Sequence, residues 1–150
     1  MCMMLYIGTS APLPEFADAD LRVEPLGPSN VAVRASFTQP SVQYVGAHTG
    51  CGCGFPHVLA ETPIEYFEGM FGDEDREADV RSTRRLMELV RSCVDRGETV
   101  ELYAAWAGDE GRAPKGKVRW GPADLDPERT VFTEGFLYVV HASTGRPASR

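Results

Sequence analysis

The stretch DEDREADVRSTRRLMELVRSCVDRGETVELYAAW, residues 73–106, decides the fold class. Over Asp73–Arg96, apolar or small residues recur at the three-and-four spacing of a single buried helical stripe. Acidic residues crowd the first turns and arginines fill the second half, which complements the helix dipole, and Gly97 ends the pattern. Over Thr99–Trp106 apolar residues alternate, as on a strand with one buried face. The stretch therefore predicts a long amphipathic helix followed directly by a strand.

Apolar runs elsewhere predict three further strands, at residues 2–7, 42–48 and 136–141. The first is apolar on both faces, which is typical of a strand in the middle of a covered sheet. Since helices do not alternate regularly with strands, a doubly wound fold is disfavoured. We predict an α/β chain of the α+β type. It has a single mixed β-sheet of four to six strands, with one long amphipathic helix packed on a face.

Weaker sequence patterns leave the assignment of other segments undecided. Residues 21–26 alternate and contain a proline, which suits an edge strand, and residues 117–120 suit a short return strand. Residues 31–37 fit a strand or a short helix equally well. A length of 150 residues allows one core, so we predict a single domain over residues 1–142. Residues 143–150 have no apolar anchor and are expected to be a frayed tail.

Charge and segment composition exclude several classes of function. A net charge of -7 disfavours nucleic acid and anionic membranes, because binding phosphate needs clustered lysine and arginine. Residues 1–8 lack the features of a signal peptide, and no apolar run approaches membrane-spanning length. We expect a cytoplasmic protein that binds neither nucleic acid nor membrane. Its four cysteines are then reduced thiols, metal ligands or catalytic groups.

The run HTGCGCGF, residues 48–55, is the candidate functional site, and we call it the thiol loop. Glycines flank both cysteines and permit close approach of backbone or of a small ligand. The set His48-x2-Cys51-x-Cys53-x3-His57 offers two thiols and two imidazoles, ligands that zinc and copper prefer. Cys2 joins this set if strand 2–7 pairs antiparallel to strand 42–48. The spacing differs from that of a standard zinc finger.

Two other interpretations of the thiol loop remain open. Cys51 and Cys53 can close a strained, oxidising disulfide, which predicts thiol redox chemistry. Alternatively the loop is structural, because cysteine is often buried and glycine allows close packing. The protein is then a non-enzymatic interaction module whose acidic surface, for instance residues 73–79, meets a basic protein partner. No glycine-rich nucleotide loop, phosphate loop or nucleophile elbow is present in the sequence, which favours a non-enzymatic protein.

Three segments together resemble an uncharacterised family of small bacterial proteins with a central GCGCGF motif. They are MCMMLYIG at residues 1–8, GAHTGCGCGF at residues 46–55 and VELYAAW at residues 100–106. The resemblance covers most of the chain. It implies a bacterial source, and it carries over no activity, cofactor or site residue.

Overall fold

The computed structural model describes residues 2–58 and 73–142. One long helix, α1, spans Asp73–Asp95. The strands are β1 Met3–Thr9, β2 Phe16–Ala17, β3 Arg22–Pro25, β4 Ser41–Gly46, β5 His57–Val58, β6 Val100–Trp106, β7 Gly116–Trp120, β8 Phe132–Thr133 and β9 Phe136–Val140. Short 3-10 helices occupy Val31–Ser36, Gly52–Gly54 and Pro122–Asp124. The ambiguous residues 31–37 thus contain a 3-10 turn and no strand.

Seven strands form the main sheet in the order β2-β3-β4-β1-β6-β9-β7. Every neighbouring pair is antiparallel except β7 and β9, which are parallel, so the mixed sheet is confirmed. The sheet exceeds the predicted four to six strands because β2 has only two residues, too few to show an alternation. The prediction of a single sheet was also wrong, since β5 and β8 form a separate parallel pair.

The long strand β1 lies in the middle of the sheet, as its apolar sequence predicts. It pairs antiparallel with β4, where Leu5 is opposite Val45, and with β6, where Met3 is opposite Trp106. Its side chains alternate between the two faces, and both faces are covered. Leu5 and Ile7 belong to one buried cluster and Tyr6 to another. The four strands predicted most clearly all lie in this one sheet.

Helix α1 covers one face of the sheet, as predicted. Its buried side chains Leu86, Val90 and Cys93 belong to the same cluster as Leu5 and Leu102 of the sheet. The helix ends where the sequence predicted. Gly97 has a φ of +84° and donates its N–H to the carbonyl oxygen of Val94 at 2.9 Å.

The opposite face of the sheet is rich in tyrosine. Tyr6, Tyr44 and Tyr103 are all buried there, below a layer that includes Val33 and Phe37. The Tyr6 and Tyr44 rings meet edge to face with centroids 5.9 Å apart. This second covered face explains why β1 is apolar at successive positions.

No helix within residues 2–58 and 73–142 is long and apolar enough to span a bilayer. The predicted tail at residues 143–150 lies outside the described residues.

Candidate metal centre

Three thiols from two distant parts of the chain lie together. Cys2 precedes β1, whereas Cys51 and Cys53 follow β4. Because β1 and β4 run antiparallel, the beginning of β1 lies beside the end of β4. The three Sγ atoms all lie within 4.8 Å of one another. We call Cys2, Cys51 and Cys53 the thiol triad.

A tight turn leads from the end of β4 into the thiol loop, which lies beside β1. The Gly50 N–H donates to the Ala47 carbonyl oxygen at 2.9 Å, and the Ala47 N–H donates to the Cys51 carbonyl oxygen at 2.9 Å. Gly50 has a φ of +84°, a conformation that other residues rarely adopt. The turn sets the two loop cysteines above the first residues of β1.

Gly52 explains why glycine separates the two cysteines. A Cβ atom at this position would lie 2.8 Å from the Met3 carbonyl oxygen and 2.9 Å from the Leu5 nitrogen. Both atoms belong to the backbone of β1, so neither can turn away as a side chain would. Only glycine lets the thiol loop lie this close to β1.

Cys53 is the more enclosed of the two loop thiols. The Met3 N–H donates to its Sγ at 3.2 Å, and the side chain packs against the cluster under α1. Burial, together with the nearby Cys51, raises the pKa of Cys53 to about 12 against the lowering effect of the Met3 amide. The thiol form of Cys53 is therefore favoured.

Cys51 is the loop cysteine whose thiolate form is favoured. Burial alone would raise its pKa, but hydrogen bonds from Thr49, from the Cys53 backbone and from the Cys53 and Cys2 thiols lower it below the usual value. The Thr49 Oγ1 lies 3.5 Å from the Cys51 Sγ. The opposite shifts in the two loop cysteines mean that Cys51 loses its proton at a lower pH than Cys53 does.

Cys2 is the exposed member of the triad. Its backbone is fixed, because its carbonyl oxygen accepts the Ala107 N–H at 2.9 Å just after β6. The triad therefore opens to solvent on the Cys2 side and is enclosed on the Cys53 side.

The two histidines of the predicted ligand set lie outside the triad. The His48 Nε2 is 2.8 Å from the Asp79 Oδ1 of α1, and the His48 N–H donates to the Ser82 Oγ at 3.0 Å. The His57 Nδ1 is 2.9 Å from the Phe55 carbonyl oxygen, and its ring meets Trp106 edge-on. His48 thus holds the thiol loop against the helix.

Cys93 lies apart from the triad, on the inward face of α1. It is fully buried, and Arg96 donates to its Sγ at 3.6 Å. Burial raises its pKa. This environment agrees with a packing role.

Sequence reasoning missed the groups that surround the thiols. The contact between His48 and Asp79 joins residues 31 positions apart, and no local pattern marks it. The Met3 amide is a backbone group, so residue identity could not reveal it. Cys2 was expected to join the loop cysteines if β1 paired antiparallel with β4, and the two strands do pair in this way.

The chemistry of the triad is that of a soft ligand set. Three sulfur atoms within one small volume can hold a thiophilic metal ion once they are deprotonated. Comparisons of the chain with protein-family models, with curated proteins and with solved structures gave no match.

Proposed function

We propose that this protein binds a thiophilic metal ion, zinc or copper(I), through the thiol triad. The observation that carries the proposal is the convergence of Cys2, Cys51 and Cys53 within 4.8 Å. The chain has four cysteines, and three of them lie together. The fold brings them together by pairing β1 with β4, so the cluster does not follow from sequence proximity alone.

The spacing of the sulfur atoms suits a bound ion. With metal–sulfur bonds of about 2.3 Å, the sulfurs around one ion are about 3.8–4.0 Å apart. The observed upper limit of 4.8 Å is close to that value. A pair of sulfurs at that limit would have to approach by about 1 Å to share one ion.

One hydrogen-bond donor already points at a sulfur that would carry charge, and a hydroxyl lies beside another. The Met3 amide donates to Cys53, and the Thr49 hydroxyl lies next to Cys51. Such donors stabilise thiolate and orient the ligand, as outer groups do around metal sites in general. The half-buried position of Cys51 and Cys53 limits competition from water.

Metal content after purification tests this function. The protein is purified without a polyhistidine tag and under reducing conditions, and its zinc and copper are measured by mass spectrometry. We expect about one equivalent of metal per chain and a thermal shift on metal addition to the stripped protein. Less than about a tenth of an equivalent, with no thermal shift, would contradict the proposal.

Single substitutions locate the site. Cys51→Ser and Cys2→Ser should abolish stoichiometric binding, because each removes one sulfur of the triad. Cys93→Ala is the matched control, since Cys93 lies in the core under α1. Equal loss of metal in the control would show that binding reports folding alone.

A further inference from the structure

We propose that the thiol triad has a second reactivity, in which Cys2 and Cys51 exchange with a small-molecule disulfide and become joined to each other. Oxidised glutathione represents this class of oxidant. Since a metal ion is bound by free thiolates, the joined form keeps only Cys53 as a sulfur ligand. The disulfide itself is independent of the proposed function, whereas its effect on metal binding rests on that function.

The three sulfurs of the triad differ in how far they face solvent. Cys2 is exposed, and Cys51 lies beside the exposed Thr49, whose Oγ1 is 3.5 Å from its Sγ. Cys53 instead accepts the Met3 N–H at 3.2 Å and packs against the apolar cluster under α1. A small disulfide in solution therefore meets Cys2 first, and Cys51 is the neighbouring thiol nearer the surface.

The exchange proceeds in two steps that conserve atoms and electrons. The Cys2 thiolate attacks one sulfur of the small disulfide, the S–S bond of that molecule breaks, and one small thiolate leaves. The Cys51 thiolate then attacks the Cys2 sulfur of this mixed disulfide and displaces the second small thiolate. Together Cys2 and Cys51 lose two electrons and two protons, and the small disulfide is reduced to two thiols.

The fold holds the two cysteines beside each other before any reagent arrives. The Cys2 carbonyl oxygen accepts the Ala107 N–H at 2.9 Å, and the Cys51 carbonyl oxygen accepts the Ala47 N–H at 2.9 Å. The two sulfurs lie within 4.8 Å, and a disulfide bond is about 2.05 Å long, so they have to approach by no more than about 2.8 Å. Because the second thiol is already in place, the second step is intramolecular.

Gly52 disfavours the alternative disulfide between Cys51 and Cys53. Such a bond closes a small ring over Gly52 alone, so the backbone of this residue has to turn. A Cβ here would lie 2.8 Å from the Met3 carbonyl oxygen, and the Gly52 carbonyl oxygen accepts the Phe55 N–H at 3.0 Å. Turning the backbone therefore breaks this hydrogen bond or presses the loop against β1.

Peptide mass spectrometry without reduction tests the disulfide. Untagged protein is reduced, stripped of metal, mixed with excess oxidised glutathione near neutral pH and then alkylated. We expect a cross-link between the tryptic peptides that contain Cys2 and Cys51, and we expect dithiothreitol to reverse it. A bond between Cys51 and Cys53 with Cys2 alkylated, glutathione adducts without a protein disulfide, or no reaction would each overturn the proposal.

Variants assign the partner of Cys2, because residues 35–76 form one tryptic peptide that contains both loop cysteines. Cys51→Ser should abolish the cross-link and leave the glutathione adduct on Cys2, whereas Cys53→Ser should still form the cross-link. Cys93→Ala is the matched control and should cross-link as the wild type does. A cross-link that survives in Cys51→Ser, with the helical circular dichroism unchanged, would make Cys53 the partner and contradict the proposal.

Metal binding separates this proposal from the proposed function. The cross-linked protein should hold less than about a tenth of an equivalent of zinc, and zinc bound to the reduced protein should slow the cross-linking. Metal retained by the cross-linked protein would contradict the loss of the site. If the cross-link forms but the reduced protein binds neither zinc nor copper(I), the metal function is wrong and the disulfide stands. If metal binds and no cross-link forms, the metal function stands and the disulfide is wrong.

Discussion

At the scale of single residues, Gly52 decides how close the thiol loop lies to β1. The Cβ of Gly52→Ala would meet two backbone atoms of β1 at under 3 Å, the Met3 oxygen at 2.8 Å and the Leu5 nitrogen at 2.9 Å. We expect this variant to lose about 1–3 kcal/mol in free energy of unfolding, because backbone must move. Denaturant titration measures the loss.

Gly111→Ala is the matched control for that substitution. Gly111 is exposed, and the nearest atom to its Cβ would be the Ala32 Cβ at 3.7 Å, an ordinary contact. Its free energy of unfolding should change by less than about 0.5 kcal/mol. Equal losses in the two variants would refute the close approach at Gly52.

The thiols of the loop should differ in reactivity. Cys51 has a lowered pKa and Cys53 one of about 12, and the thiolate is the nucleophile. Iodoacetamide at neutral pH should therefore label Cys51 before Cys53 in the native protein, and should label Cys93 only on unfolding. Peptide mass spectrometry over time measures the order. Labelling of Cys53 ahead of Cys51 in the native protein would contradict the assigned difference in pKa. Unfolded protein is the control, because the order of labelling should vanish there.

At the scale of elements, the contact between α1 and the thiol loop links the helix to the site. The hydrogen-bond contact of His48 with Asp79 is mostly buried, with the side chains 20% and 17% exposed. Asp79→Asn removes its charge and loosens the loop. We expect metal affinity to fall by about tenfold, the scale found when groups that support metal ligands are replaced.

Glu88→Gln is the control for that element. It removes a carboxylate from the same helix, but at a side chain that is 61% exposed and lies 3.9 Å from Arg85. A competition assay for metal should show no change in this variant. Equal losses of affinity in the two variants would mean that helix charge, and not the loop contact, controls binding.

Sequence patterns predicted the elements whose periodicity is long enough to read. The stripe of α1, its end at Gly97 and the central position of β1 all follow from residue type and spacing. The two-residue strand β2 is too short to carry a period, and β5 pairs with β8 across the chain without a local signal. Elements set by tertiary contacts were therefore the ones missed.

The candidate site was predictable to the same extent. The glycine-flanked cysteines identified the loop, and antiparallel pairing of β1 with β4 was the condition under which Cys2 would join them. The placement of His48 against Asp79 depends on where α1 packs on the sheet. The spacing of residues along the sequence does not show where the helix packs.

At the scale of the whole molecule, the buried tyrosines make stability depend on alkaline pH. Burial raises the pKa of Tyr6, Tyr44 and Tyr103, and the charge of Glu110 raises that of Tyr6 further. The folded protein keeps these protons above pH ~10, where the unfolded chain releases them. The stability that these tyrosines contribute should therefore be fully present below pH ~10. The free energy of unfolding should fall as the pH rises above that value.

Denaturant titrations at about pH 9 and about pH 11 measure this fall. Tyr6→Phe should reduce it, because one of the raised groups is gone. The high pKa of Cys53 adds to the same trend from about pH 8.5 upward, so Cys53→Ala should flatten the lower part of the curve. Stability that rises between these pH values would contradict the burial of the tyrosines.

Placing the earliest described strand at the centre of the sheet has a consequence for biosynthesis. A chain made from its amino end releases β1 long before β6, whose Trp106 pairs with Met3. At about 5–20 residues per second, that partner arrives on the order of 10 s later. Cys2 remains exposed on the nascent chain during this interval. Its backbone is therefore fixed only after β6 has been made, because the Cys2 carbonyl oxygen accepts the Ala107 N–H.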